Sequence, residues 1–524
     1  MNIDKEDRVA TAFKNQTIFL TGGSGFMGKV FIERLLRVTE FDKIYILIRP
    51  KKGVQPEERL RELFKDMLFV KLLEEMDIDT ILSRIKAIPG DCEQLNLGLS
   101  ENDRNFIIEN MTMIYHFAAT IRFDEKLKKA VLMNVRGTRE MIKLALDCKQ
   151  LKFFGHMSTA YCHLHVPFLL EKPYDPPADP HEIIQMIEEM DKPEEEIEKF
   201  SKILLAKFKL PNTYAFTKSM AESLVVHAKE KLNLPAMIFR PSIVISTWRD
   251  PLPGYIDNFN GPVGMLLAGG KGVARTAYCD QKSYGDFLPC DIAINGVFVC
   301  TWNFFNYYNP EHFIINFTSS QEIQFSWEQV SKLGMLVAEQ KYPLNQIFWY
   351  PNVAMTKYRW LHNARAFFFH WIPAYVADFF LVCFGYEPFM KRAARRIAKG
   401  MEVVEYYAMN QWDFDNKIQC TFRERLNDFE EDRYKVNSKG ISHQQILTDA
   451  ALGCRRYVLK TPDHMLPAAF AEMRRMYILD KTCKTIIYGA LLYWLYGLIL
   501  ALASGSNIFF TIIKIAICLF CFIL

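Results

Sequence analysis

The sequence predicts an α/β fold from three features: β-rich apolar runs alternate with amphipathic helical patterns, a glycine-rich loop joins the first run to the first helix, and the remainder becomes mainly helical and ends in apolar stretches. Together these describe a Rossmann-type doubly wound parallel sheet with a mainly helical C-terminal domain and a C-terminal transmembrane anchor. The expected division is residues 1–350 for the dinucleotide-binding and catalytic domain with its substrate loops, 351–480 for the helical domain and 481–524 for the anchor.

Strands are expected near Thr17 to Leu20, Ile44 to Ile48, Ile85 to Ile88, Met113 to Phe117, Lys152 to His156 and Ala236 to Phe239. Each is a short apolar run bounded by turn residues, as in a sheet covered on both faces. Helices fall between them at Met27 to Arg37, Leu127 to Cys148 and Tyr214 to Lys231. The acid-rich insertion Pro180 to Lys207 has a helical apolar spacing, which suits a lid or, as the simpler reading, a solvated surface helix. Between Thr247 and Tyr350 the pattern is mixed and rich in Gly and Pro, consistent with loops closing over a site.

The C-terminal region divides in two. Ala364 to Tyr386 is strongly apolar but contains His370, Pro373 and Asp378 and precedes the basic run Lys391 to Arg396, so a membrane span competes with a buried or membrane-surface helix. Ile486 to Ala503 is uncharged, has the length of a bilayer core and follows Arg474, Arg475, Lys481 and Lys484, which reads as an anchor. Ile508 to Leu524 is apolar apart from Lys514, giving either one span with an interfacial segment or a two-leg hairpin.

Bulk properties exclude several classes. Lys plus Arg total 64 against 60 for Asp plus Glu, a net +4 too small to indicate nucleic-acid binding. The 12 cysteines form no pairs at metal spacing and read as reduced cytosolic thiols, so no metal site is expected. The N-terminus lacks the apolar core of a secretory signal, and the main body is expected to stay in the cytosol.

The loop after the first strand reads Thr21-Gly22-Gly23-Ser24-Gly25-Phe26-Met27-Gly28 and opens directly into a helix. Gly22 and Gly25 permit a tight turn and close approach of backbone to a pyrophosphate at the helix N-terminus, while Gly28 lets helix pack on strand. After the second strand, where an NAD enzyme usually carries an acid, Arg49 offers a guanidinium for a 2′-phosphate, which favours NADPH; a plain surface arginine is the alternative. Asp91 suits an adenine amino group or a turn cap, and Ala118 and Ala119 suit close passage of the cofactor or simple packing.

Tyr214 and Lys218 form a YxxxK pair on one helix face, with the ammonium expected to lower the phenol's pKa so that it donates a proton to a carbonyl as hydride arrives. The fifth strand ends in His156-Met157-Ser158-Thr159-Ala160-Tyr161, putting hydroxyls at the carboxyl edge of the sheet, where ligands bind in such folds.

TGGSGFMG, the Asn134-Val135-Arg136-Gly137-Thr138 segment, HMSTAY, YAFTK and Arg240-Pro241-Ser242-Ile243-Val244 occur in the order of extended short-chain dehydrogenases. More narrowly, GDCEQLNLGLS at 90–100, the STAYCH segment and the helical C-terminal region resemble eukaryotic fatty acyl-CoA reductases over nearly the whole chain. The resemblance implies a catalytic Thr159 or Ser158 with Tyr214 and Lys218, an Asn134 that organises the proton relay or bonds backbone, and Pro241 and Ile243 beside the nicotinamide. It also implies reduction of long-chain fatty acyl-CoA by NADPH to a primary alcohol through the aldehyde; endoplasmic reticulum and peroxisome are both compatible with the C-terminal anchor. A homodimer is compatible with it. The rival readings are a membrane-bound sterol or sugar-nucleotide dehydrogenase and a catalytically silent NADPH-binding scaffold. The lone histidines His163, His165 and His370 are assigned no role.

Overall fold

The computed structural model describes residues 6–51 and 53–503, which fall into two compact units. The first comprises Met1–Asn258, Asp286–Phe325 and Trp412–Ile441. Its centre is a seven-stranded sheet of β1 (Thr17–Thr21), β2 (Lys43–Ile48), β3 (Ile85–Pro89), β4 (Met113–His116), β5 (Phe153–Met157), β6 (Ala236–Pro241) and β7 (Ile314–Phe317). The spatial order is β7-β6-β5-β4-β1-β2-β3 and every pairing is parallel. The doubly wound parallel sheet expected from the alternating pattern is therefore present. Apart from the edge strand β3, whose Lys86 and Pro89 are exposed, the strands are almost wholly buried because helices cover both faces, which is why they read as continuous apolar runs such as KIYILI rather than as alternating ones.

On one face lie α1 (Phe26–Val38) and, later in the chain, the buried helix Cys290–Asn306, joined by the rings of Phe31 and Phe298 at 5.3 Å, while Phe31 also packs on Tyr115 of β4 at 4.8 Å. The other face is covered by α2 (127–147) and, beyond α3 (Pro180–Glu189) and α4 (Glu194–Lys207), by α5 (Thr213–Lys231). Val131, Val135, Phe216 and Met220 there share one buried cluster with Phe19, Ile114 and Phe154 of the strands. The insertion differs from the solvated helix expected. It is two helices separated around Pro193, and Ile183, Ile184 and Ile187 of α3 with Leu204 of α4 join that same cluster, so each helix is bound by an apolar face. Strand β7 lies in the region the sequence left as mixed; four residues, IINF, are too few to carry a periodicity, and only pairing with β6 defines them. Beyond these, α6 (Cys290–Asn306) is the buried helix named above.

The second unit comprises Phe259–Gly285, Ser326–Gln411 and Ser442–Leu524, and is mainly helical. Its long elements are α7 (Arg359–Cys383), α8 (Met390–Met409) and α9 (Leu466–Ala503). Helix α7 spans 25 residues with a π-helical turn at Phe367–Trp371, and by length and composition alone it could cross a membrane. The segment Ile486 to Ala503, expected from the sequence to be an anchor, forms the end of α9, with Ile486, Leu492 and Tyr493 among its exposed side chains. The first half of α9 is tied down: Glu472 accepts the Gln346 and Ile347 N–H groups, and Asp480 accepts the Trp349 indole N–H at 2.7 Å. The apolar run Ile508 to Leu524 lies outside the described residues.

Candidate active site

The strand order reverses between β1 and β4, and in open parallel sheets ligands bind at the carboxyl ends of the strands flanking that reversal. The glycine loop leaves β1 there. Gly22 has a φ of +77°, and a Cβ on it would lie 2.7 Å from the Ala118 nitrogen, so the loop can pass the chain leaving β4 only without a side chain. A Cβ on Gly28 would stand 2.2 Å from the Gly22 carbonyl oxygen, so this glycine seats α1 against its own loop. Gly23 packs toward Ile46, while Ser24 and Gly25 form the exposed tip and Phe26 and Met27 the partly buried first turn. No side chain caps the N-terminus of α1, which leaves its first N–H groups available to an anion. Thr21 is buried, its hydroxyl hydrogen-bonded to His116 Nδ1 at 2.7 Å and accepting the Ala118 N–H at 3.3 Å. This cradle fits a dinucleotide diphosphate.

Arg49 and Asp91 come together at the ends of β2 and β3, with Arg49 Nε 2.8 Å from an Asp91 carboxylate oxygen. The other Asp91 oxygen accepts the Glu93 N–H, so the turn-capping role considered for Asp91 is present in the structure. Arg49 remains partly exposed, as a residue meeting a bound phosphate must be.

The catalytic candidates are positioned by α5. Asn212 caps this helix by accepting the Ala215 N–H, which places Tyr214 in the first turn, and Lys218 and Glu222 follow at intervals of four on the same face. Tyr214 lies beside Thr159, and its ring packs on Phe123 at 5.3 Å. Burial pushes the Tyr214 pKa above its ordinary value, opposed by the neighbouring Thr159 hydroxyl. The expectation that Lys218 lowers it is not met: the Lys218 ammonium donates to the Met157 carbonyl at 2.5 Å, at the end of β5. Burial lowers Lys218 itself to about 8.

The two hydroxyls at the end of β5 point to different partners. Thr159 accepts the Tyr161 N–H at 3.2 Å, donates to the Pro241 carbonyl at 3.4 Å and meets Tyr214. Ser158 donates to Glu222 at 2.6 Å and is buried. Asn134 lies in a π-helical turn of α2, a distortion frequent at functional sites, and its amide accepts the Thr120 N–H while donating to the Thr120 carbonyl and the Thr217 hydroxyl. The backbone-bonding alternative for Asn134 is thus present, and it braces the chain that follows Ala118 and Ala119. Pro241 ends β6 beside Thr159, whereas Ile243 lies in the next short strand, its N–H donating to Asp286.

Sequence reasoning missed the group beneath these residues. Glu222 accepts from Arg240 Nε at 3.0 Å and Nη2 at 2.5 Å, pairs with His163 Nε2 at 3.1 Å and takes the Ser158 bond. Burial alone would raise the Glu222 pKa, but Arg240 and His163 hold it well below the carboxylate range. His163, which burial would lower, is raised to about 10 by Cys162 and Glu222. The available signal was the four-residue step from Lys218 to Glu222; nothing in the sequence linked it to Arg240 or to the unassigned His163. Cys162, His163 and Glu222 also bring ligand atoms within 4.8 Å of one another, but the Arg240 guanidinium on the same carboxylate opposes a second cation there.

Comparison with known proteins adds three findings. An NAD-binding family described as male sterility protein matches residues 20–297, and a second family of that description, Sterile, matches residues 369–461. The chain is 33% identical over 500 residues to the Drosophila melanogaster protein named fatty acyl-CoA reductase wat, covering 95% of each. It is 33% identical over 477 residues to the Homo sapiens fatty acyl-CoA reductase 1, covering 91% of each. Among solved structures, the terminal R domain of the myxalamid PKS-NRPS pathway superposes with a TM-score of 0.56 at 19% identity, covering 86% of this chain and 93% of its own. The R domain of a nonribosomal peptide synthetase from Mycobacterium tuberculosis gives 0.55 at 17%, covering 86% and 96%. At such identities these last two establish the fold alone, a Rossmann-like α/β architecture with a parallel sheet.

Proposed function

Since the chain belongs to the fatty acyl-CoA reductase family, and is accordingly an oxidoreductase with an NAD-binding domain, we propose that it reduces long-chain fatty acyl-CoA with NADPH to the primary alcohol by way of the aldehyde, releasing coenzyme A. The observation that carries the mechanism is the placing of the Tyr214 phenol beside the Thr159 side chain at the carboxyl edge of the sheet that also bears the glycine cradle.

Thr21 to Gly28 would hold the diphosphate, Arg49 the 2′-phosphate, Asp91 the adenine, and Ala118, Ala119, Asn134, Pro241 and Ile243 the passage toward the nicotinamide. When bound, reduced nicotinamide supplies hydride to the thioester carbon, and in a second round to the aldehyde carbon. Tyr214 holds the proton at its phenolic oxygen, raised in pKa by burial, and delivers it to the carbonyl oxygen as negative charge develops there. Thr159 turns its hydroxyl from the long 3.4 Å contact with the Pro241 carbonyl to donate to the same oxygen, and it is preferred to Ser158 because the Ser158 hydroxyl is held by the Glu222 carboxylate at 2.6 Å. Lys218 supplies positive charge near the site while fixing the end of β5 through Met157. The tetrahedral hemithioacetal then collapses, expelling the thiolate of coenzyme A.

The anchor at the end of α9, an exposed uncharged stretch, supports membrane attachment with the catalytic unit on the cytosolic side, at the endoplasmic reticulum or peroxisome. Release of a long-chain alcohol beside lipid shortens its path through water.

The test is to incubate the purified full chain with NADPH and a series of acyl-CoAs and analyse the lipids. Fatty alcohol with stoichiometric free coenzyme A is expected, and Tyr214→Phe is expected to lose about 10²- to 10⁴-fold in rate, the usual contribution of a positioned proton donor. Near-wild-type NADPH oxidation by Tyr214→Phe would overturn the assignment, and turnover of sterol or sugar nucleotide in place of acyl-CoA would overturn the substrate.

A further inference from the structure

Helix α7 is amphipathic in the reverse sense of a core helix. Ile372, Tyr375, Val376, Phe379 and Phe380 recur at i, i+3, i+4, i+7 and i+8, and all are exposed, Phe379 to 65%. Phe384, Tyr386 and Phe389 extend the exposed apolar surface through the turn into α8. There the character changes abruptly: Arg392, Arg395, Arg396 and Lys399 are exposed along α8, and the Lys391 ammonium lies 4.8 Å from the centre of the Tyr375 ring. Such a surface, aromatic on one side and cationic on the other, is costly to leave in water.

Two sets of contacts fix how the helices run. The Asp378 carboxylate, which interrupts the apolar run of α7, accepts the Met390 and Lys391 N–H groups at 2.8 and 2.9 Å and so caps the start of α8. At the far end, Arg359 of α7 pairs with Glu405 of α8, and His362 Nε2 lies 3.6 Å from the same carboxylate. Helix α8 therefore runs back antiparallel along α7.

That pairing decides between two relations to lipid. Taken alone, α7 is long and apolar enough to cross a bilayer. Were it to cross, α8 would be carried in beside it with Lys391, Arg392, Arg395, Arg396, Lys399, Glu402 and Glu405, each charge penalised in hydrocarbon. With α7 lying flat, the aromatic stripe meets the acyl chains and the cations of α8 meet the headgroups, and neither group pays that penalty.

We propose that the α7–α8 hairpin is an interfacial membrane-binding element, which lies in the surface of an anionic lipid bilayer with the Tyr375–Phe380 stripe immersed and the arginines of α8 on lipid phosphates. It is a second contact with lipid, built from residues separate from the anchor at the end of α9. Its charge complementarity is to anionic lipid specifically, since each Lys or Arg held near such a surface strengthens association about fivefold.

Cys383 is exposed at the end of the stripe and takes a fluorophore. The full chain so labelled is reconstituted into vesicles of phosphatidylcholine with a minority of phosphatidylserine, and the signal is defined as the difference from Cys383→Ser. Nitroxide quenchers are placed either near the lipid headgroup or near the acyl terminus, and iodide reports access from water. The expected result is strong quenching by the shallow nitroxide, little by the deep one and little by iodide. The triple variant Arg392→Glu, Arg395→Glu, Arg396→Glu, which alters exposed side chains and leaves the anchor intact, should cut shallow quenching by more than about tenfold and open the label to iodide. With the label moved to Ile372→Cys in the Cys383→Ser chain, near the middle of α7, dominant quenching by the deep nitroxide would mean that α7 crosses. Full iodide access in the unaltered chain would mean that the hairpin does not touch lipid, and iodide protection that grows with protein concentration without lipid quenching would mean that a second copy covers it. Each of these three overturns the proposal.

Discussion

Replacing Glu222 with glutamine tests the buried network directly. The Arg240 guanidinium is 0% exposed and is neutralised by the Glu222 carboxylate, with only the Leu170 and Lys172 carbonyls, each at 3.0 Å, as further acceptors. In Glu222→Gln the cation stays buried without its counter-charge. Breaking a buried pair from one side costs about 3 to 5 kcal/mol, and the two carbonyls together with the retained amide oxygen place this case near the lower end, about 3 kcal/mol. That is a large part of the roughly 5 to 15 kcal/mol by which folded domains are stable. Arg240→Met in the same background removes the stranded charge and should restore much of the loss. The assay is guanidinium unfolding of the full chain in lipid nanodiscs, with Glu222→Gln, Arg240→Met and the double variant forming a cycle. A coupling above about 2 kcal/mol is expected, and additivity within about 0.5 kcal/mol would refute the reasoning. Because the folded Glu222 pKa is depressed, its contribution is present above the ordinary glutamate value and lost as pH falls through the folded one. The wild type should therefore lose more stability on acidification than Glu222→Gln does.

Three further outcomes follow from the site. Lys218, lowered by burial to about 8, acts as a cation below that value and loses its charge above it, so kcat/KM should decline on the alkaline side with a midpoint near about 8, and Lys218→Arg should move that limb upward; a flat profile to pH about 10 would remove Lys218 from the mechanism. Arg49→Ala should raise KM for NADPH by about 10- to 100-fold, the worth of a charge-assisted hydrogen bond, while leaving NADH unchanged; equal loss with both cofactors would show that Arg49 serves only its contact with Asp91. Thr159→Val should lower kcat by about 10²- to 10³-fold as an oxyanion donor is lost. Ser158→Ala, which removes the bond to Glu222 and the weak contact with the Cys162 sulfur, should act mainly on stability, and the reverse ranking in steady-state kinetics would exchange the roles.

Much of the catalytic unit was legible because its signals are local. Of the six strands foreseen, all but the edge strand β3 are apolar runs buried on both faces, and the glycine loop declares itself because Gly22 and Gly28 occupy positions where a Cβ would strike backbone. Tyr214 and Lys218 are four residues apart on one helix, a relation that helical geometry makes spatial. The solvated reading of the acidic insertion failed for a related reason: the spacing announced an apolar face, but which surface would receive Ile183, Ile184 and Ile187 depended on α2.

What tertiary structure alone decided are relations between distant segments. Ser158 and Thr159 are adjacent and chemically alike, and only the juxtaposition of Glu222 beneath one and Tyr214 beside the other separates them. Arg240, His163 and Glu222 lie on three elements, and their charges are kept in the interior only because each is the others' solvent. Asp378 looked like an obstacle within an apolar helix until its carboxylate was seen to cap α8 and bring a row of cations alongside. A sequence can declare which side chains share a helix face or require a bare backbone, since those constraints act over a few residues. The partner that satisfies a buried charge is chosen by the folding of the whole chain, because desolvation is a property of everything packed around it.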